Sequence, residues 1–172
     1  MKFILFSLMG CLSVLPAIAG DMHIVVTKGA RTLEVYQDAQ RMHLFRIGLG
    51  SSPEGDKMHA GDGKTPEGVF YVCVKNPKSR YYLSLGLSYP DEGDAKRGFG
   101  DGLITQQEHD AILAAIAARK TPPWNTALGG EIFIHGKGAA SDWTLGCVAL
   151  EDPDMKTLFE LIEVGTKVEI KP

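Results

Sequence analysis

The sequence predicts a mainly β domain, either a β-sandwich or a partly open barrel, that carries two helices. Short segments rich in β-branched and aromatic residues follow one another from residue 23 onward, separated by polar or glycine-rich breaks. Only two segments, which begin at Thr105 and Asp152, have the apolar spacing of a helix. At 172 residues the chain has the size of one domain. No internal repeat or linker divides it.

Six segments have the composition of β-strands. The first three are separated by short polar breaks, which predicts a β-meander. The fourth follows a turn at residues 65–68, where Pro66 sets φ at the second position. The segments cover residues 23–26, 32–36, 42–47, 69–74, 132–134 and 166–170.

Both predicted helices have start and stop signals. Thr105 and Glu108 have the spacing of a capping box, and two prolines after Lys120 end that helix. Asp152 is the expected N-cap of the second helix, with proline in its first turn and Gly165 at its end. The sequence therefore predicts helices over residues 105–120 and 152–165.

Two segments are predicted as loops. Residues 48–64 are rich in glycine and polar side chains. Residues 76–102 have no clean period, and their aromatic residues are scattered among Gly, Ser and Asp. We expect the second segment to be an ordered loop region, because long loops in compact domains are often functional.

The first nineteen residues have the pattern of a secretory signal peptide. Lys2 precedes a short apolar run, and residues 17–19 form a small-x-small cleavage site. The run is shorter than the about 20 apolar residues that span a bilayer, so no transmembrane segment is expected in the mature chain. A lipid anchor at Cys11 is the second interpretation. The sequence thus predicts a signal peptide over residues 1–19 and an exported, periplasmic domain over residues 20–172.

Composition narrows the function classes. Hydrophobic residues make up 44% of the chain and charged residues 23%, as in ordinary soluble proteins. The formal net charge of -3 gives no basic footprint, so nucleic-acid binding is disfavoured. After removal of the leader, Cys73 and Cys147 remain. In an oxidising compartment this pair is compatible with a disulfide or with a free, reactive thiol.

A histidine and a cysteine provide the strongest candidate site. His135 ends a buried-type strand, and Cys147 follows Gly146 at the start of another apolar run. A free thiol has a pKa of about 8.5, and a neighbouring imidazole can stabilise its thiolate as an ion pair. We expect the backbone N–H groups of Gly146 and Cys147 to face a developing oxyanion, where one such donor is worth about 3 kcal/mol.

Two structural alternatives stay open for these residues. A lone cysteine is often a small buried hydrophobe, and a lone histidine is often an ordinary polar residue, as we interpret the histidines at positions 23, 43, 59 and 109. A zinc site would need a third and a fourth ligand beside Cys147 and His135. We therefore expect no metal, and since a thiol suffices for acyl transfer, no cofactor.

The segments around these two residues resemble a known family. His135-Gly136, followed by Thr144, Gly146 and Cys147, is similar to the active-site signature of the L,D-transpeptidase catalytic domain, YkuD type. Residues 61–70 resemble the Thr-Pro-x-Gly turn and following strand of this family, and residues 76–79 with 89–90 resemble the next loop in one of its branches. The resemblance extends from about residue 23 to residue 170.

The resemblance implies that Cys147 is the nucleophile and His135 the general base of a cysteine acyltransferase. Thr144 matches the Ser/Thr position of the motif, and Gly146 matches the glycine before the nucleophile. Leu145 and Ala149 depart from the family pattern, which has a second histidine and an Arg or Asn there. These two departures affect the choice of the acyl acceptor more than they affect attack by the Cys147 thiol.

Four further residues are candidates for substrate binding. Trp143 has the amphipathic character suited to stacking on a stem peptide or glycan, although packing is an equal interpretation. Arg80 is able to pair with a substrate carboxylate. Tyr81, with Tyr82 next to it, is expected to line the groove, and Gly136 follows the catalytic histidine. A solvated loop is the alternative for residues 80–82.

Three functional classes follow from this pattern. The first is an L,D-transpeptidase that acts on peptidoglycan stem peptides through a thioester at Cys147. The second is a hydrolase of the same chemistry, either an L,D-carboxypeptidase or an amidase that releases a wall-linked lipoprotein. The third is a non-catalytic peptidoglycan-binding module. The paired Cys147 and His135 favour the first two, and the resemblance favours the first.

Overall fold

The computed structural model describes residues 20–172. The predicted signal peptide at residues 1–19, with Cys11, lies outside the described residues. In chain order the elements are β1 (Met22–Thr27), β2 (Thr32–Gln37), β3 (Gln40–Arg46), β4 (Gly68–Ser79), β5 (Tyr82–Leu87), α1 (Glu92–Gly100), α2 (Gln106–Ala117), β6 (Phe133–His135), β7 (Val148–Ala149), α3 (Asp152–Leu161) and β8 (Lys167–Lys171).

The strands form one mixed sheet in the order β3-β2-β1-β8-β4-β5-β6-β7. The β1/β8 and β6/β7 pairs are parallel, and the other pairs are antiparallel. The chain continuing from β3 reaches the opposite edge of the sheet, where Gly48 bridges Ala149 and Gly50 bridges Thr144. The sheet is therefore a half-barrel, which confirms the partly open form rather than the sandwich.

The core of the half-barrel explains why the predicted strands form. Ile24 and Val26 of β1, like Leu33 and Val35 of β2, alternate with more exposed residues and are completely buried. Their apolar side chains belong to a cluster that also receives β8 and the buried face of α3. Burial of such residues contributes about 1.5–3 kcal/mol each. The meander and the last strand are thereby confirmed.

The prediction of two helices was wrong, because the described chain contains a third one, α1. Asp91 caps it and forms a capping box with Asp94. The loop prediction for residues 76–102 missed this helix, the end of β4 and all of β5. Three glycines within α1 conceal its period in the sequence, yet one of them, Gly98, packs its backbone against Leu128. Tertiary packing here overrides weak helix propensity.

Of the two helices that were predicted, α2 begins as expected and α3 differs at both ends. Thr105 and Glu108 form the predicted capping box. The N-cap of α3 is Glu151 instead of Asp152, and the Asp152 carboxylate accepts a hydrogen bond from Lys137 N–H at 2.8 Å. The helix ends at Leu161, before the expected glycine. Among the described residues, no helix has the length and apolarity needed to cross a bilayer.

Candidate active site

The pairing of β6 with β7 brings the segments that carry His135 and Cys147 next to each other at the edge of the sheet. Ile134 aligns with Val148 and His135 aligns with Ala149. His135 is the last residue of β6, and Cys147 directly precedes β7.

These two side chains line one cavity of about 800 Å³. Its walls come from the loop at residues 57–61, the tip of the β4/β5 hairpin at residues 76–84, the segment at residues 129–135 and the loop at residues 143–147. We call this last loop the nucleophile loop, after the role expected for Cys147. This volume is in the range of sites that hold small molecules or peptide ends.

The Cys147 thiol is partly buried and is held by backbone groups at the start of β6 and just before it. Phe133 N–H donates to Sγ at 3.4 Å, and the thiol donates to the Glu131 carbonyl oxygen at 3.6 Å. Burial raises the pKa of Cys147, and the Glu131 carboxylate raises it further, while the Phe133 hydrogen bond lowers it. The resting residue is therefore a protonated thiol at neutral pH.

The His135 imidazole is almost fully buried, with 3% of its surface exposed. Its Nδ1 lies 2.7 Å from the Gly136 carbonyl oxygen, which fixes Nδ1–H as the donor and leaves Nε2 as the acceptor. Burial lowers the pKa of His135, although the hydrogen bond to Gly136 opposes this effect. Burial thus favours a neutral thiol and a neutral imidazole over the ion pair expected from the sequence.

Thr144 ties the nucleophile loop together. Its hydroxyl donates to the Cys147 carbonyl oxygen at 2.7 Å and accepts from Gly146 N–H at 3.1 Å. The expectation that Gly146 N–H faces an oxyanion is therefore wrong for this conformation, because the Thr144 hydroxyl occupies that donor. Cys147 N–H is the remaining candidate of the two.

Gly146 is required by its backbone conformation, with φ at +130°. A Cβ at this position would lie 2.6 Å from the Lys64 carbonyl oxygen. We expect Gly146→Ala to lower the free energy of unfolding by about 3 kcal/mol, since backbone strain and overpacking add. Urea unfolding measures the change. Gly165→Ala is the matched control, because Gly165 also has positive φ, at +96°, but has open space around it.

The Gly165→Ala control separates the cost of backbone strain from the cost of the steric clash with the Lys64 carbonyl oxygen. We expect Gly165→Ala to cost about 1 kcal/mol, the penalty of the left-handed backbone alone. Equal losses in the Gly146 and Gly165 variants would show that the contact with the Lys64 carbonyl oxygen has no cost of its own.

An ion pair anchors the start of the nucleophile loop to the β1/β2 turn. The Arg31 guanidinium donates to Asp142 from Nε at 3.1 Å and from Nη2 at 2.8 Å. Leu49 N–H donates to the same carboxylate at 2.9 Å. These hydrogen bonds lower the pKa of Asp142, although burial opposes them. The sequence gives no signal for Arg31, because it lies far from Asp142 along the chain.

Aromatic side chains enclose the imidazole on two sides. The Tyr81 ring stacks on His135 at 4.7 Å between centroids, and Trp143 contacts it edge-on at 5.6 Å. The Arg80 guanidinium lies over the Tyr81 ring at 4.9 Å. Trp143 is 39% exposed and donates from Nε1 to the Gly138 carbonyl oxygen at 3.1 Å. These rings explain how the imidazole becomes buried at the edge of a cavity.

The structure places Arg80, Tyr81 and Trp143 in the cavity wall, but it does not place Gly136 there. Gly136 is buried beneath the hairpin tip, where its N–H donates to the Tyr81 carbonyl oxygen at 3.0 Å. A Cβ would lie 2.4 Å from the Asp152 carboxylate. Gly136 therefore supports the position of His135. Tyr82 is exposed and also lies outside the cavity lining.

Sequence reasoning missed three charged residues of the cavity wall, which are Lys57, Glu131 and Lys78. Lys57 is buried there, and its Nζ pairs with Asp62 at 2.8 Å. Three backbone N–H groups also donate to Asp62, and together with Lys57 they lower its pKa to about 2 against the effect of burial. Glu131 is the second residue; its only sequence signal is its place between two glycines and a strand.

The two cysteines are free in the structure. Cys73 lies in β4 and donates from Sγ to the Gly86 carbonyl oxygen at 3.4 Å. It is partly buried, and burial raises its pKa. Over residues 20–172, no three His, Cys, Asp or Glu side chains converge in a way that could hold a metal ion.

Comparison with known sequences assigns the chain to one family. The sequence model of the L,D-transpeptidase catalytic domain, YkuD, matches residues 21–170. The chain therefore belongs to the L,D-transpeptidase catalytic domain family, as its motifs suggested.

Two curated relatives come from Escherichia coli (strain K12). YafK, whose name assigns it to the L,D-transpeptidases, is 33% identical over 85 residues, which cover 45% of this chain and 34% of YafK. The probable L,D-transpeptidase YcfS is 30% identical over 134 residues, which cover 74% of this chain and 36% of YcfS. The chain thus spans about a third of the length of these relatives.

Solved structures show the same fold. The helical cell shape determining protein Pgp2 of Campylobacter jejuni matches with a TM-score of 0.61 and 21% identity, over 90% of this chain and 49% of Pgp2. Bd1075 of Bdellovibrio bacteriovorus matches with a TM-score of 0.58 and 20% identity, over 88% of this chain and 48% of its own. The expected L,D-transpeptidase fold is confirmed.

Proposed function

We propose that this chain is a peptidoglycan-modifying cysteine acyltransferase, an L,D-transpeptidase, with Cys147 as nucleophile and His135 as general base. The observation that supports the proposal is that a free thiol and an imidazole, carried by the paired segments β6 and β7 and the residue before β7, line the same cavity. The substrate is a stem peptide of the cell wall, attacked at the carbonyl of its diamino acid where this is joined to a terminal D-amino acid.

The reaction begins from a neutral pair of side chains. As Sγ attacks the carbonyl carbon, Nε2 of His135 takes the thiol proton, so the sulfur becomes nucleophilic only when substrate is present. Cys147 N–H stabilises the developing oxyanion. The C–N bond then breaks, His135 returns the proton to the leaving amine, and a thioester remains at Cys147.

The second half of the reaction decides between transferase and hydrolase. An amine from a neighbouring stem or from a wall-linked lipoprotein resolves the thioester in the transpeptidase, with one amine proton passing through His135 to sulfur. Water does so in an L,D-carboxypeptidase, and also in an amidase that first attacks the lipoprotein linkage. The proposed site of action is the periplasm, with residues 1–19 as a removed signal peptide and residues 20–172 as the catalytic domain.

The test uses disaccharide tetrapeptide purified from cell walls. We expect mass spectrometry of the intact protein to detect an acyl adduct that peptide mapping locates at Cys147. Product analysis is expected to give cross-linked dimer together with released D-amino acid. Release without any cross-linked product would make the hydrolase the correct assignment, and absence of both adduct and release would refute the proposal.

A further inference from the structure

Glu131 is the only carboxylate side chain among the described residues that line the cavity. The other charged lining residues are Lys57, Lys78 and Arg80, all cations. Lys57 is neutralised by Asp62. Glu131 is exposed, and no ion pair within residues 20–172 includes it. A free carboxylate therefore faces the cavity that contains the nucleophile.

The backbone holds Glu131 beside the nucleophile at an energetic cost. Its φ is +53°, a conformation that disfavours residues with a Cβ by about 1–2 kcal/mol. This conformation directs the Glu131 carbonyl oxygen to the Cys147 thiol at 3.6 Å. A glycine at this position would adopt the same φ without strain. The chain nevertheless has Glu131 here, directly after Gly129 and Gly130. Strain of this kind is concentrated at functional sites.

The charge of Glu131 opposes formation of the nucleophile in the free enzyme. Beyond the larger effect of burial, the Glu131 carboxylate raises the pKa of Cys147. Lys57 has the opposite effect to Glu131, because its charge lowers the pKa of Cys147. Arg80 and Lys78 line the cavity at the tip of the β4/β5 hairpin. A carboxylate that hinders ionisation of the thiol is useful if a substrate cation binds to it.

We propose that Glu131 is the specificity-determining residue that docks the ammonium group of the amine acceptor. This inference rests on the proposed function and deepens it, because it assigns a residue to the resolving half of the reaction. The Glu131 backbone carbonyl oxygen contacts Sγ, and both residues line one cavity, so an ammonium group paired with the Glu131 carboxylate is bound in the cavity that contains the thioester. Glu131 thereby favours attack by a cationic amine over attack by water.

The proton balance of this step is simple. The ammonium loses one proton to solvent and attacks as the neutral amine. The new N–C bond forms, the C–S bond breaks, and a second amine proton passes through Nε2 of His135 to Sγ. Glu131 binds and orients the acceptor and keeps its own charge throughout.

The test measures how the thioester partitions between amine and water. Wild-type protein and Glu131→Gln are acylated with disaccharide tetrapeptide at pH 7.5. Two acceptors are compared: a stem tripeptide ending in diaminopimelate, whose amine is cationic, and hydroxylamine, which is neutral. We expect Glu131→Gln to lower the aminolysis-to-hydrolysis ratio about tenfold with the tripeptide, the effect of losing one modest ion pair. The ratio with hydroxylamine is expected to stay unchanged.

A second measurement, the rate of thiol alkylation, is expected to rise in the Glu131 variant instead of falling. Because removal of the carboxylate lowers the pKa of Cys147, iodoacetamide is expected to alkylate Glu131→Gln faster than wild type at the same pH. Glu131→Asn tests the charge with a residue that adopts positive φ more readily. Glu160→Gln, on the exposed face of α3, is the control for net charge.

Several outcomes would overturn the inference. An unchanged ratio with the tripeptide, an equal fall with both acceptors, or slower alkylation in both Glu131 variants would each show that Glu131 has only a structural role. If wild type forms the thioester but only water resolves it, the docking inference alone fails. If wild type forms no acyl adduct, the proposed function itself fails.

Discussion

Replacing Cys147 with alanine is expected to lower the rate of D-amino acid release from purified disaccharide tetrapeptide by at least about 10⁴-fold, because loss of the nucleophile removes the covalent route. The release is measured by mass spectrometry under single-turnover and steady-state conditions. The intact-mass adduct is expected to disappear in the same variant. Retained release with no adduct would refute the proposed mechanism.

The structure supports a loss of chemistry without a loss of fold in this variant. The Cys147 side chain makes weak contacts, with Phe133 N–H at 3.4 Å and the Glu131 carbonyl oxygen at 3.6 Å. The loop is instead held through the Cys147 carbonyl oxygen, which accepts from Thr144 and remains in the alanine variant. We therefore expect the free energy of unfolding to change by less than about 1 kcal/mol.

Cys73→Ala is the matched control for this experiment. Cys73 is the other cysteine of the described chain, is also free and partly buried, and has a pKa raised by burial. It lies in β4, outside the cavity lining. Activity within about twofold of wild type is expected for Cys73→Ala. An equal loss in both cysteine variants would point to misfolding in place of a missing nucleophile.

The sequence alone predicts those strands and helices that have a local signal, such as alternating apolar residues or a capping box. Alternating apolar residues in β1 and β2 identify those strands, because each buried position faces one continuous core. The reciprocal capping box of Thr105 and Glu108 identifies the start of α2. The motif that contains Thr144, Gly146 and Cys147 predicts a candidate site on this loop, where Gly146 has positive φ and donates its N–H to the Thr144 hydroxyl.

Elements that depend on distant contacts were missed. Strand β5 buries four consecutive residues, at positions 84–87, and so lacks the alternation of a strand with one solvent face. Helix α1 has three glycines and is stabilised by packing on Leu128 and by its acidic cap. Arg31, in the β1/β2 turn, reaches Asp142 although the two residues lie far apart in the sequence. Such pairs become visible only when the sheet order is known.

The protonation states at the site also required the structure. The spacing of a cysteine and a histidine predicts their proximity, but burial sets their charges. Tyr81 and Trp143 cover the imidazole, and this loss of solvent lowers the pKa of His135. The residue that raises the pKa of Cys147 beyond burial, Glu131, was not identified in the sequence. Burial therefore favours a neutral resting pair over the ion pair expected from the sequence, and in the proposed mechanism His135 takes the thiol proton when substrate is present.

The pH dependence of kcat/KM is expected to reflect this neutral pair. Activity needs His135 unprotonated, so kcat/KM rises as pH increases through the pKa of His135. Because burial lowers that pKa below the ordinary value of 6.5, the acidic limb is expected to lie below pH 6.5. Initial rates with disaccharide tetrapeptide between pH 4.5 and 8 provide the measurement. An acidic limb above 6.5 would contradict a buried neutral base.

His135→Gln removes the base and is expected to lower kcat/KM by about 10³-fold or more, within the range attributed to general acid–base catalysis and thiol activation. Glutamine keeps a polar side chain of similar length at position 135. Tyr81→Phe is the control, because phenylalanine keeps an aromatic ring stacked against His135. The variant is also expected to lose the acidic limb of the pH profile. A limb that persists in His135→Gln would assign it to another group.

The same residue links stability to pH with a defined sign. A histidine whose folded pKa is lowered binds fewer protons in the folded state than in the unfolded chain, so it destabilises the fold as pH falls below the unfolded value of about 6.5. Between pH 7.5 and 5.5, the wild-type free energy of unfolding is therefore expected to fall more than that of His135→Gln. Urea titrations at the two pH values give the difference. Equal decreases in both proteins would mean that the pKa of His135 is not lowered in the folded state, which would contradict a buried neutral base.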